Sequence, residues 1–120
     1  MGILDSLLGD PRKNIIAAVG RSQGRADAAD DEVSKALVAF YLKEPTANEK
    51  KQIGRLNDQW KATRSEFDSL CKETLKQANA GDVKRATDAF KELTKLEVAH
   101  VNAGAGLTSS VIAILNAKQR

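Results

Sequence analysis

The sequence is poor in residues that build covalent or metal-stabilised folds. It holds one cysteine and one histidine among 120 residues, and aromatic residues make up 4% of it. A single cysteine excludes an intramolecular disulfide and any cysteine-rich zinc site within one chain. The length leaves room for one domain, and a hydrophobic share of 42% is ordinary for a globular protein.

The chain also lacks a strong excess of charge of one sign. Nineteen basic and sixteen acidic residues give a formal charge of +3, and opposite charges are interspersed along most of the chain. Residues 11–25 are basic and carry no acid. The aromatic residues fall on apolar helical faces, so they form no platform for stacking bases. We therefore do not expect a nucleic-acid partner.

No segment has the features of a signal peptide or of a convincing membrane span. Asp5 and Asp10 interrupt the apolar start, and no basic region precedes it. The longest uncharged stretch, residues 98–117, contains several polar residues, among them His100, Asn102 and Asn116. We expect a soluble chain that is cytoplasmic or belongs to a larger assembly.

No stretch shows the alternation of β-branched residues that is typical of strands. The strongest helical signal begins at Thr46, which forms a capping box with Glu49. From there to Ala80 an apolar seam follows a heptad rhythm, and the helix should be about 50 Å long. We predict an all-α fold: an antiparallel helical hairpin or bundle with one long central helix and a short helical N-terminal arm.

A second long helix should follow the turn at Gly81 and Asp82. Gly104 and Gly106 could divide it, or one helix could continue through them to residue 118. Continuity is favoured because the long central helix needs an antiparallel partner of its own length.

The first part of the chain is predicted to be an arm and the rest a bundle. The segment from Gly20 to Gly24 resembles a linker. We therefore place an amphipathic arm and linker in residues 1–24 and a helical bundle domain in residues 25–120. The first bundle helix should end before Pro45, which disfavours helical geometry at the preceding residue.

The sequence contains no reaction-specific motif, and we expect neither an enzyme nor a cofactor. The first hypothesis is a non-catalytic helical interaction or assembly protein, either a homo-oligomer or a subunit docked on a protein partner. A bare hairpin would leave much of its apolar seam wet, which favours such a contact. The predicted interface comprises Ile53, Leu56, Trp60, Phe67, Leu70, Phe90, Leu93, Ala103, Gly104, Ala105 and Gly106.

The N-terminal arm and the uncharged C-terminal helix support a second hypothesis, a membrane-active helical protein. The apolar residues of the arm lie next to positive charge, and they could contact either a membrane surface or a protein. They are Ile3, Leu4, Leu7, Leu8, Ile15, Ile16 and Val19.

A third hypothesis is a dimeric di-metal carboxylate protein. Glu97 and His100 form a Glu-x-x-His element, which is typical of di-iron sites in helical bundles. One histidine per chain is too few, so a two-fold dimer would be needed, with Glu66 as the nearest opposing carboxylate. The simpler interpretation is a polar layer in the hairpin. Cys71 is expected to be a small buried hydrophobic residue.

Overall fold

The structure, a computed structural model, describes residues 9–119. These residues form three α-helices, α1 (Pro11–Leu42), α2 (Ala47–Asn79) and α3 (Val83–Lys118), and no strand. The helices pack against one another in a bundle that measures 67 × 22 × 17 Å. The predicted all-α class and the long central helix are therefore confirmed.

The chain runs up, down and up again, so α1 and α3 are parallel. Ser22 of α1 contacts Glu97 of α3, and the Lys118 ammonium donates to the carbonyl oxygen of Lys43. Both contacts join residues 75 apart in the chain. A residue of α1 therefore contacts residues about 70–75 positions later in α3.

Side chains of the connecting segments fix the helix starts. The Asp10 carboxylate accepts from the Arg12 amide, and Pro11 occupies the first turn. Both hydrogen bonds of the predicted capping box between Thr46 and Glu49 are present. Gly81 has a φ of +83°, a conformation that favours glycine. Each predicted turn is thus found where the sequence places it.

The predicted linker at Gly20–Gly24 is wrong, because α1 runs through it without a break. Val19, Ser22 and Ala26 face the core from this part of the helix and are fully or almost fully buried. Each helical glycine costs about 1 kcal/mol relative to alanine, which is less than the gain from burying such a face. The predicted boundary between residues 24 and 25 therefore lies inside a helix.

α3 is continuous through Gly104 and Gly106, as the length of α2 predicts. The bundle core consists of two apolar clusters with polar side chains at the level between them. Nearer the α2–α3 turn lie Val19, Ala26, Phe67, Cys71 and Leu93. Nearer the α1–α2 turn lie Val33, Phe40, Ile53, Leu107 and Val111.

Candidate functional site

The polar side chains between the two clusters form a network that joins all three helices. His100 of α3 is fully buried, and its Nε2 lies 2.6 Å from Oδ1 of Asp30 in α1. Its Nδ1 lies 2.7 Å from the Thr63 hydroxyl of α2, and that hydroxyl also donates to the Trp60 carbonyl oxygen. The Trp60 indole stacks on the imidazole at a ring distance of 5.9 Å. We call Asp30, Trp60, Thr63, Arg64 and His100 the central network.

Asp30 is the hub of this network. One carboxylate oxygen accepts from His100 and, at 3.1 Å, from the Trp60 indole. The other oxygen accepts from Arg64 at 2.9 Å. Since a carboxylate can only accept hydrogen bonds, the Nε2 of His100 must carry a hydrogen. Both oxygens of the Asp30 carboxylate therefore accept at least one hydrogen bond.

The Arg64 guanidinium extends the network towards the surface. Besides Asp30 it donates to Asp27 at 2.8 Å and to Asp68 at 2.9 Å. Its side chain is one-quarter exposed. Arg64 thus ties α2 to α1 through the carboxylates of Asp27 and Asp30, whereas Asp68 lies on the same helix as Arg64.

Glu97 forms a separate polar contact, about one helical turn before His100 on α3. Arg25 donates two hydrogen bonds to its carboxylate, at 2.8 and 2.9 Å, and the Ser22 hydroxyl donates a third. These bonds from Arg25 hold the pKa of Glu97 below its ordinary range, although burial opposes the shift. The contact ties α1 to α3.

The metal hypothesis is not supported by this geometry. Glu97 is engaged by Arg25, whereas His100 is engaged by Asp30 and Thr63. Glu66 is exposed and lines a shallow groove beside Ser65, Ser69, Leu70 and Leu96. Within residues 9–119, no three His, Cys, Asp or Glu side chains are grouped so that they could hold a metal ion. Glu97 and His100 are instead the inter-helix polar layer that the simpler interpretation predicts.

The central network also offers no open reaction centre. Thr63, His100 and Asp30 are hydrogen-bonded in series, as a nucleophile, a base and an orienting acid would be. However, the imidazole has no exposed surface, and the Thr63 hydroxyl is already bonded on both sides. The arrangement holds the three helices together.

Cys71 lies in the core, as the sequence predicts, with an exposed fraction of 1%. Burial raises the pKa of its thiol to about 11. A thiol with so high a pKa is a poor nucleophile at neutral pH.

The residues of the predicted interface are divided between the core of the bundle and its surface. Ile53, Phe67, Leu93 and Gly104 are buried in the bundle. The half-buried positions are Leu56, Trp60, Leu70, Phe90 and Ala103. The exposed positions are Ala105 and Gly106. The buried positions lie in the core because α1 has 32 residues, so it covers a seam that a helix starting at residue 25 could not cover.

The predicted arm is divided in the same way. Ile3, Leu4, Leu7 and Leu8 lie outside the described residues. Val19 is fully buried in the cluster nearer the α2–α3 turn, and Ile15 packs against that cluster. Ile16 is 37% exposed. Residues 15–19 therefore belong to the bundle and form no separate arm.

An exposed apolar surface lies at the other end of α1, and sequence reasoning missed it. Leu42 is 75% exposed, Val38 is 61% exposed and Tyr41 is 54% exposed. Leu42 lines a groove of about 260 Å³ between α1 and α3, together with Ala39 and Leu115. Ile112 lies one turn before Leu115 and is half exposed. The distal patch is defined as Val38, Tyr41, Leu42, Ile112 and Leu115.

The distal patch left only a weak trace in the sequence. Val38, Tyr41 and Leu42 have the spacing of a second apolar face beside Leu37 and Phe40. A helix that is apolar on more than one side signals either deep burial or a contact surface. Here Phe40 is buried, whereas Val38, Tyr41 and Leu42 are exposed.

One described helix, α3, is long and apolar enough to cross a membrane by length and composition. An 18-residue window of it has a mean hydropathy of 1.5, and 22% of that window is buried in the bundle. A single such helix is weak evidence, because core helices of soluble proteins meet the same criterion.

Comparison with known proteins gives no relative: no family model, no curated protein and no solved structure matches this chain.

Proposed function

We propose that this protein is a non-catalytic helical assembly protein that self-associates through the distal patch. The observation that carries the proposal is the exposure of Leu42 beside an apolar groove. Single exposed apolar residues are normal on protein surfaces, but a contiguous group of them marks a contact site. The buried side chains, in contrast, are already used to hold the bundle together.

The polar groups of the described residues support a non-catalytic role. His100 and Thr63 are enclosed in the central network, and the Cys71 thiol is buried with a raised pKa. The nucleophile and base that would be the first candidates for chemistry are thus committed to packing.

The distal patch is small, so we expect weak self-association. Five side chains, one of them half-buried, form a contact at the lower end of the range for protein interfaces. Such contacts are weak, so self-association should appear at concentrations of roughly 100 µM.

Sedimentation velocity on the full chain tests the proposal. The wild-type chain should sediment faster as its concentration rises, and Leu42→Asp should abolish this increase. Val98→Asp is the matched control, because Val98 is also a half-exposed apolar residue but lies outside the patch. A wild-type chain that remains monomeric, or an equal effect of both variants, would contradict the proposal.

A membrane-active protein is the second candidate, and the length and hydropathy of α3 favour it. Against it, α3 buries Leu93, His100, Leu107 and Val111 within the bundle. If the protein is membrane-active, the full chain should bind vesicles of anionic phospholipid at low salt, and Leu4→Asp should weaken that binding. Absence of the protein from the vesicle pellet would exclude this candidate.

A further inference from the structure

We propose that the groove beside Leu42 receives residues 3–8 of a second copy of this chain, so that molecules join head to tail. The inference rests on the proposed function and names the occupant of the same surface. It is carried by the chemistry of the two segments and by the distance between them.

The proposed occupant is the most apolar short segment before α1. Ile3, Leu4, Leu7 and Leu8 have the spacing of one helical face, and Asp5 is the only charged side chain among residues 3–8. Amphipathic segments of this kind bind apolar grooves through residues at helical spacing. The groove is lined by Leu42, Leu115 and Ala39 on its apolar side.

The charges of the groove match that segment. Its charged lining residues are Lys43 and Lys118, with no carboxylate. Lys118 is paired with Glu49 at 2.8 Å. No ion pair engages the Lys43 side chain within residues 9–119, so its ammonium is free to meet the carboxylate of Asp5.

The geometry assigns the segment to a second copy. Residues 3–8 precede Pro11, whereas the groove lies at Leu42, at the far end of α1. The 32 residues of α1 span about 48 Å at 1.5 Å per residue. The eight residues from 3 to 10, fully extended, reach about 28 Å at most from the start of α1. The segment therefore cannot reach the groove of its own molecule.

When two different surfaces of the same protein bind each other, each molecule that is added leaves one more free surface. The assembly therefore keeps growing unless the rotation between neighbouring molecules closes it into a ring. The bundle is 67 Å long, the groove lies at the end of α1 that holds Leu42, and residues 3–8 precede the other end of α1 in the chain. We therefore expect open chains whose length grows with protein concentration.

Cysteine cross-linking between two full-length variants tests the proposed contact. Ser6→Cys places a thiol in the segment and keeps its four apolar residues. Gln119→Cys places a thiol in the lining of the groove and keeps Leu42 and Leu115. The native Cys71 is buried, so it should contribute little background.

The mixed Ser6→Cys and Gln119→Cys chains should form a disulfide dimer under mild oxidation. The yield should exceed that of Ser6→Cys with Asn102→Cys by about tenfold or more, because a complex raises the local thiol concentration. Asn102 is exposed on the same helix, about 26 Å from residue 119 along the axis. Adding Leu42→Asp to the Gln119→Cys chain should remove the excess.

The other outcomes separate this inference from the proposed function. Preferential cross-linking of Gln119→Cys with itself would show that the patch pairs with another patch, which overturns the inference and leaves the proposed function standing. Equal yields with residues 119 and 102, in a chain that still self-associates by sedimentation, would do the same. A chain that neither cross-links nor self-associates would overturn both.

Discussion

Gly104 is the position where the bundle is most sensitive to one added methyl group. A Cβ atom there would lie 2.8 Å from Cγ2 of Val33 and 3.2 Å from Nε1 of Trp60. Neither neighbour can move freely: Val33 is buried, and the Trp60 indole donates to Asp30. At Gly106 a Cβ atom would meet no atom within 4 Å.

The two substitutions should change the free energy of unfolding in opposite directions. Gly106→Ala should raise the free energy by about 0.5–1 kcal/mol, because alanine is the better helix former. Gly104→Ala has the same gain but forces a clash that costs about 1–3 kcal/mol. Displacing the indole also weakens a hydrogen bond to a charged group, worth about 1.5–3 kcal/mol. After the helical gain is subtracted, the net destabilisation should be about 1.5–5.5 kcal/mol.

Urea unfolding followed by circular dichroism measures both variants. Trp60 is the only tryptophan, so its fluorescence reports on the displaced indole alone. It should change in Gly104→Ala and stay unchanged in Gly106→Ala. A Gly104→Ala protein as stable as the wild type, with unaltered fluorescence, would refute the close packing of α1, α2 and α3 at this level.

Three further predictions concern the polar residues and the thiol. Asp30→Ala should lower the free energy of unfolding by about 3–5 kcal/mol, because His100, Trp60 and Arg64 lose the carboxylate to which they donate. Asp31→Ala is the control, because Asp31 is exposed. Equal urea midpoints for the two variants would contradict the central network. The pKa of Glu97 is lowered in the folded state, so its contribution to stability is present above the unfolded value of about 4.3 and is lost as the pH falls through the folded value. Glu97→Gln should therefore show a smaller loss of stability than the wild type between about pH 5 and pH 3, and parallel curves of urea midpoint against pH would contradict this. Cys71, with a pKa raised to about 11, should react with a thiol reagent at pH 8 only as fast as the chain unfolds; rapid labelling of the native protein would contradict its burial.

The fold could be predicted from the sequence because the local signals agree with one another. The capping box at Thr46, the turn at Gly81 and the heptad seams of α2 and α3 all point to long packed helices, and all are present. The prediction for α1 was wrong because glycines were given more weight than periodicity. Val19, Ala26, Val33 and Phe40 recur every seven residues straight through the predicted linker and are all buried.

The central network could be predicted only in part. The heptad rhythm places Glu97 and His100 in the seam, and both are inter-helix polar residues. Nothing in the local sequence marks Asp30 as the partner of His100, because it lies on a different helix. Its role as the hub depends on which residues of α2 and α3 lie level with it, and this register is a tertiary property that periodicity alone does not fix.

That register also determines the distal patch. An apolar seam that repeats every seven residues would still pack if α1 slid by one heptad, about 10.5 Å, along α3. The pairs Asp30–His100 and Ser22–Glu97 can form in one register only, and a slide would leave buried polar groups without partners. In the observed register Leu42 and Leu115 meet at one groove. The interior polar contacts therefore specify the surface that the proposed assembly uses, although none of them touches it.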